Sequence, residues 1–241
     1  MTVAPVRLVL LPGMDGTGDL FAPLKQAMGP QAVIDVVRYP GQQVLGYDEL
    51  EPLVRAQLPT QAPFVLLGES FSGPLAISIA ASPPAGLRGL ILCCSFARRP
   101  KPAMAMLRAG LLELSMSLVH SKAMRVPMRH LLLGRAAPPH LASLLQDSLK
   151  QVSVAVMTRR MKEVQRVNVV DKLARVHVPA MYLQALQDRV VPKQAVAIIQ
   201  RKLSALRVVK LDGPHGLLQA SPVAAAQAIE NFCRDLRPAA P

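Results

Sequence analysis

The chain is poor in aromatic residues: Phe, Tyr and Trp make up 3% of its 241 residues, and Trp is absent. An aromatic cage for a cation, or a stacking surface for nucleic-acid bases, needs several exposed rings, so both kinds of site are disfavoured. Disorder is excluded, because 51% of the residues are hydrophobic and only 18% are charged. That composition provides enough apolar side chains for one large domain with a buried core.

Cysteine is also scarce, and the three cysteines, Cys93, Cys94 and Cys233, form no Cys-x-x-Cys pair. Because the number of cysteines is odd and two of them are adjacent, the sequence predicts reduced thiols in a reducing compartment. Long apolar runs are missing too. Val6–Leu11 is too short for a signal-peptide core, and Ser70–Leu87 is interrupted by Ser, Gly and Pro. We therefore expect a cytoplasmic protein without a transmembrane segment.

Acidic residues are few, with 15 Asp and Glu against 28 Lys and Arg, which gives a formal net charge of +13. A charge of this size favours an anionic partner. Nucleic acid, an acidic protein and an anionic membrane all remain candidates from charge alone. Scarce aromatics and the lack of a helix-turn-helix or zinc-finger pattern argue against nucleic acid.

Short apolar runs alternate with helical patterns along most of the chain. Runs rich in Val, Ile and Leu are typical of strands that are covered on both faces. The sequence therefore predicts an α/β fold, with a mostly parallel sheet of about six strands and helices on both faces. The predicted strands are Val6–Leu11, Ala32–Val37, Phe64–Leu67, Leu87–Cys94, Ala180–Ala185 and Leu206–Leu211.

One segment, residues 98–167, interrupts this alternation and reads as several amphipathic helices punctuated by Pro127 and Pro138–Pro139. It carries thirteen Lys and Arg against three acids, which is +10 of the net charge, and it holds seven of the eleven methionines. We expect residues 1–97 and 168–241 to form the core and residues 98–167 to form a helical, basic, Met-rich insertion.

The most specific motif is Val65–Pro74, where an apolar strand runs into Gly68-Glu69-Ser70-Phe71-Ser72 and then into a helix. This strand–turn–helix context is that of a nucleophile elbow, in which small residues two before and two after the serine let strand and helix approach. Ser72 departs from the commoner glycine. The alternative is a Gly- and Ser-rich turn without catalysis.

Three further turns follow predicted strands. Pro12-Gly13-Met14-Asp15-Gly16 is a glycine-rich turn whose N–H groups suit an oxyanion. Asp188 follows the fifth strand, and His215 follows the sixth. The carboxyl ends of parallel strands share one edge of a sheet, so Ser70, Asp188 and His215 are expected to meet there.

These residues and their order, Ser70, Asp188 and then His215, resemble the α/β-hydrolase fold enzymes. The resemblance covers about residues 1–97 and 168–241, and it places residues 98–167 where that family carries a lid. It implies that Ser70 is the nucleophile, His215 the general base and Asp188 the acid that orients it. It further implies that the backbone N–H groups of Met14 and Phe71 form the oxyanion hole.

The resemblance implies a serine hydrolase that cleaves a carboxylic ester or thioester through an acyl-enzyme, with a small-molecule substrate. Acyl transfer and carbon–carbon bond hydrolysis are alternatives on the same machinery. In size, lid placement and charge the chain is also similar to pimeloyl-acyl-carrier-protein methyl ester esterases. That similarity implies an acidic carrier protein docked on the basic lid. A non-catalytic binding protein on a hydrolase scaffold is the remaining alternative.

No cofactor and no metal are expected. The other histidines lack metal-ligand spacing, and no cysteine or acid completes a set with them. We predict that they lie at the surface or pack between helices. These histidines are His120, His130, His140 and His177.

Overall fold

The computed structural model describes residues 7–100 and 125–236. Its centre is one six-stranded sheet in which every pair of neighbouring strands runs parallel. The spatial order is β2-β1-β3-β4-β5-β6. The strands are β1 (Arg7–Leu11), β2 (Ile34–Val36), β3 (Phe64–Glu69), β4 (Leu87–Cys93), β5 (Ala180–Ala185) and β6 (Arg207–Leu211).

Nine α-helices connect or follow these strands within the described residues. They are α1 (Ala22–Met28), α2 (Tyr47–Arg55), α3 (Gly73–Ala81), α4 (Arg125–Leu133), α5 (Pro139–Lys150), α6 (Val154–Arg166), α7 (Gln194–Gln200), α8 (Leu217–Ala220) and α9 (Pro222–Asp235). In the same part of the chain, three 3₁₀ helices lie at Asp19–Phe21, Ser70–Ser72 and Val170–Arg175. No helix among these residues has the length and apolar character needed to cross a membrane.

The sheet has a separate apolar core on each face because side chains alternate along a strand. In β3, Leu66 packs in the larger core with α2 and α3, whereas Leu67 packs in the smaller core with α1 and α9. Both side chains are fully buried. The predicted α/β architecture, with a parallel sheet and helices on both faces, is confirmed.

The basic segment leaves and re-enters the sheet region at one place. Arg98 and Asn168 form an isolated antiparallel bridge, and the N–H of Val169 donates to the carbonyl of Ala97 at 2.7 Å. Helices α4, α5 and α6 lie between these two points. Pro127 falls within α4, while Pro139 is the first residue of α5, where a missing N–H costs nothing. Residues 101–124 lie outside the described residues.

Candidate active site

Ser70 lies in a strained turn between β3 and α3. Its φ of +48° is in the left-handed region, which non-glycine residues seldom occupy and which is found at functional sites. Gly68 permits this turn, because a Cβ added there would lie 2.7 Å from the Cβ of Ala76 and 2.8 Å from the carbonyl oxygen of Ser72. The structure therefore requires a residue without a side chain two positions before Ser70, as predicted for the elbow.

Ser72 occupies the second position of small size and is fully buried. Its hydroxyl donates to the carbonyl oxygen of Pro12 and is 2.6 Å from the phenol oxygen of Tyr39. The side chain therefore links the elbow to the turn after β1, which glycine cannot do. Space for α3 comes from Gly73, where a Cβ would lie 1.7 Å from Oγ of Ser95.

Ser70, His215 and Asp188 are joined by hydrogen bonds, although Ser70 and His215 are 145 residues apart in the chain. Oγ of Ser70 is 2.8 Å from Nε2 of His215. Nδ1 of His215 is 2.9 Å from Oδ2 of Asp188. The other carboxylate oxygen of Asp188 accepts from the N–H groups of Val190 and Val191 at 2.8 and 2.9 Å. Asp188 is thus held in the orientation that faces the imidazole.

The other acids near the expected site have different partners. Asp212 accepts from the side-chain amide of Gln187 at 2.8 Å. Asp15 accepts from the N–H and hydroxyl of Thr17 at 3.0 and 2.6 Å. Asp19 pairs with Arg38 at 2.7 Å. Asp171 is exposed at the start of a 3₁₀ helix. The structure therefore brings only Asp188, among these described acids, into hydrogen bonding with His215.

The two backbone positions expected to form an oxyanion hole lie in the turn after β1 and at the elbow. In that turn the carbonyl of Gly13 accepts from the N–H of Gly16 at 3.1 Å. Carbonyl and N–H point in opposite directions in a trans peptide, so this bond orients the N–H of Met14 away from the turn. Phe71 follows Ser70, is fully buried and stacks on the ring of Tyr47 with centroids 4.7 Å apart.

Glu69 was not singled out in the sequence, yet its carboxyl lies buried directly before Ser70. Oε1 of Glu69 accepts from the side-chain amide of Gln219 on α8 at 3.1 Å. Burial raises the pKa of Glu69 to about 7, with the negative charge of Asp15 adding to the shift. No sequence pattern predicts this burial, because in the sequence a glutamate beside an elbow serine cannot be told from a surface glutamate.

The described basic residues of 98–167 do not share one exposed face. Arg98, Arg99, Arg135, Lys150 and Arg166 are exposed, whereas Arg129, Arg159 and Lys162 are partly buried. Arg160 is fully buried and donates to backbone carbonyls of the turn after β1. Lys101, Arg108, Lys122 and the side chain of Arg125 lie outside the described residues. Arg160 therefore cannot belong to a docking face on this segment.

Two methionines of the same segment, Met157 and Met161, are buried in the larger core. They pack α6 against the molecule. Met128 is partly buried. Met104, Met106, Met116 and Met124 lie outside the described residues.

One group of metal-capable side chains occurs among the described residues. The ligand atoms of Cys94, Asp188 and His215 lie within 4.8 Å of one another. Asp188 and His215 are already hydrogen bonded to each other, and Sγ of Cys94 is 4.0 Å from Sγ of Cys93. Cys93 and Cys94 are buried, and Cys233 is partly buried. His130 is partly buried, and His140 and His177 are exposed, while His120 lies outside the described residues.

No protein-family model matches the chain. No curated protein matches it either. Many solved structures, in contrast, match the chain. The enol-lactonase from Burkholderia xenovorans LB400 superposes with a TM-score of 0.78 at 14% identity, covering 96% of this chain and 91% of that one. An esterase from Exiguobacterium antarcticum superposes with a TM-score of 0.79 at 14% identity, covering 96% of this chain and 93% of that one.

A bromoperoxidase from Bacillus anthracis gives a TM-score of 0.78 at 16% identity, covering 96% of this chain and 92% of that one. Identities this low establish the fold alone. The chain has the α/β-hydrolase fold, as the resemblance in the sequence implied. The looser similarity to pimeloyl-acyl-carrier-protein methyl ester esterases stays a prediction.

Proposed function

We propose that the protein is a serine hydrolase that cleaves carboxylic esters or thioesters through an acyl-enzyme. The observation that carries this proposal is the unbroken hydrogen-bond chain from Ser70 through His215 to Asp188 at a strained elbow. A serine hydroxyl becomes nucleophilic when a neighbouring base takes its proton as it attacks. Nε2 of His215 is at hydrogen-bond distance for that transfer.

Each residue then has one role in the reaction. Oγ of Ser70 attacks the carbonyl carbon, and His215 takes the hydroxyl proton and passes it to the leaving group. Asp188 holds Nδ1 of His215 protonated, so that Nε2 is the basic nitrogen. The N–H groups of Met14 and Phe71 stabilise the oxyanion, and each such donor contributes about 10²–10³ in kcat. Water, activated by His215, then releases the acid.

Ser72 is a poor competitor for the role of nucleophile. Its hydroxyl is fully buried and hydrogen bonded to the Pro12 carbonyl and to Tyr39. Ser70 is partly exposed and is the serine bonded to His215.

Residues 98–167 are proposed to form the lid of the site. In support of this assignment, the carbonyl of Leu132, near the end of α4, accepts from the N–H of Gly216 at 2.7 Å, next to His215. Part of the segment therefore contacts the loop that carries the proposed base.

The test is hydrolysis of p-nitrophenyl esters across acyl lengths by the wild type, Ser70→Ala and Ser148→Ala. Ser148 is a buried serine in α5 and serves as the matched control. We expect Ser70→Ala to lower kcat about 10⁴-fold or more, while Ser148→Ala keeps wild-type turnover. The profile over acyl lengths measures the size of the acyl site.

A fluorophosphonate probe provides a second measurement on the same variants. Labelling of the wild type and of Ser148→Ala, but not of Ser70→Ala, supports Ser70 as the nucleophile even if the p-nitrophenyl esters are poor substrates. A wild type that neither turns over nor is labelled contradicts the proposal and favours a binding protein on a hydrolase scaffold. Adding alcohol acceptors and analysing the products separates hydrolysis from acyl transfer.

A further inference from the structure

Arg160 stands out because it is an arginine in the apolar face of a helix. In α6 the buried residues Val156, Met157, Met161 and Val164 recur at helical spacing, and Arg160 lies in the same stripe. Its exposure is 0%, and it is one of the largest side chains buried to that extent. A buried guanidinium is costly unless its donors are paired, so its contacts indicate what it is for.

The guanidinium of Arg160 contacts backbone rather than carboxylates. Nη1 donates to the carbonyl oxygens of Met14 and Asp15 at 2.8 and 2.9 Å, and Nη2 donates to that of Pro40 at 3.1 Å. The cationic carbon lies 5.5 Å from the ring centroid of Tyr39. Among the described residues it forms no ion pair, and its Nε has no hydrogen-bond partner.

The turn after β1 is built around this side chain. Gly16 has a φ of +72°, and a Cβ at that position would lie 2.5 Å from Nη1 of Arg160. Three successive carbonyls of the turn accept hydrogen bonds. The carbonyl of Gly13 accepts from the N–H of Gly16, and those of Met14 and Asp15 accept from Arg160. With these carbonyls held, the peptide between Gly13 and Met14 keeps one orientation, and its N–H keeps one direction.

We propose that Arg160 is a positioning residue that holds the turn of residues 13–16 so that the Met14 N–H points at the oxyanion. This inference rests on the proposed function and extends it, because it gives one side chain of α6, that of Arg160, a part in stabilising the transition state. An oxyanion donor acts only where charge develops, so a misdirected Met14 N–H weakens transition-state binding and leaves ground-state binding nearly intact.

The test compares three variants in α6 with the wild type. Arg160→Met keeps an unbranched side chain, shorter than that of arginine, without donors or charge. Arg160→Lys keeps the charge and contacts fewer carbonyls. Val164→Ala is the matched control, because Val164 is buried on the same helix in the larger core, and truncating it removes none of the hydrogen bonds that Arg160 donates. All are assayed with one p-nitrophenyl ester that the wild type hydrolyses.

We expect Arg160→Met to lower kcat and kcat/KM together by about 10²-fold, the signature of an interaction made in the transition state. Binding of an alkyl trifluoromethyl ketone, which forms an oxyanion on Ser70, should weaken by a similar factor. Arg160→Lys is expected to fall between wild type and Arg160→Met. Val164→Ala should lose stability and keep kcat.

A second readout does not depend on turnover. Hydrogen exchange at the amides of residues 14–16 should be faster in both Arg160 variants than in Val164→Ala, measured where all variants are folded. Arg160→Lys keeps this comparison available if Arg160→Met does not fold.

The outcomes separate this inference from the proposed function. If the wild type is active but Arg160→Met keeps its kcat, or if Val164→Ala loses as much kcat as Arg160→Met, the positioning role is wrong and the proposed function stands. If the wild type neither hydrolyses esters nor reacts with the fluorophosphonate, both are overturned.

Discussion

Glu69 shows how one buried carboxyl makes the stability of this protein depend on pH. Its folded pKa is raised from 4.5 to about 7 by burial. Between these values the folded state holds a proton that the unfolded chain has released, so stability falls as pH rises. The contribution is fully present below pH 4.5 and is lost as pH rises through about 7. Its size is on the order of 3 kcal/mol.

Glu69→Gln should remove this dependence, because the amide stays neutral and its oxygen still accepts from Gln219. Urea unfolding at pH 4.5 and pH 8 measures it. We expect the wild type to lose on the order of 3 kcal/mol more stability over this interval than Glu69→Gln does. Asp147→Asn, which changes a carboxylate with 63% side-chain exposure, is the control and should follow the wild type. Parallel profiles for wild type and Glu69→Gln contradict the prediction.

The same residue scale shows what the sequence reveals about the site. Ser70, Asp188 and His215 follow apolar strands, and that context identifies them from the sequence alone. Arg160 lies among the basic residues of 98–167, and counting charges treats it as surface. The signal that identifies it is its place in the apolar stripe of α6, because an arginine at such a position must find buried acceptors. Only the fold shows that these acceptors belong to the turn after β1.

At the scale of elements, strands were predictable because burial on both faces makes their sequences continuous in apolar residues. The predicted and observed strand ends differ by at most two residues. The largest differences, two residues each, are at the start of β2 and at the end of β3. In the latter, the sheet ladder continues through Gly68 and Glu69. Neither residue is apolar, so hydrophobicity ends the strand early, whereas pairing with β4 carries it to the elbow.

At the junction of α3 with the loop after β4, Gly73 and Ser95 are closely packed. An alanine at Gly73 places its Cβ 1.7 Å from Oγ and 2.6 Å from Cβ of Ser95. Ser95 donates to the Ser70 carbonyl at 2.6 Å, so the clash also disturbs the turn. We expect Gly73→Ala to destabilise the protein by about 1–3 kcal/mol in urea unfolding.

A double-mutant cycle with Ser95→Gly isolates this contact. Removing the Ser95 side chain leaves room for the new methyl group, so Gly73→Ala should cost less in the Ser95→Gly background than in the wild type. Strictly additive costs would show that the destabilisation of Gly73→Ala has another origin, such as an altered helix start.

The whole molecule carries a formal net charge of +13. A field of this sign attracts anionic substrates over a distance set by the Debye length, which is about 10 Å at 0.1 M salt. The expectation does not need a particular basic face, since the described arginines of 98–167 range from exposed to buried.

We therefore expect kcat/KM for an anionic ester, such as the mono-p-nitrophenyl ester of a dicarboxylic acid, to fall by up to about tenfold as salt rises from about 0.02 to 0.5 M. The neutral ester of equal length is the control and should change little. The same salt dependence for both esters would contradict electrostatic steering.

The distance along the chain between Ser70 and His215, 145 residues, has a consequence for protein synthesis. The proposed nucleophile is in the first third of the chain, but the proposed base follows the last strand of the described residues, and α9 must still cover one face of the sheet. A growing chain on the ribosome thus carries the serine long before it carries the histidine. Under the proposed mechanism, we therefore expect nascent or prematurely terminated chains to be hydrolytically silent until the loop that carries His215 has followed β6.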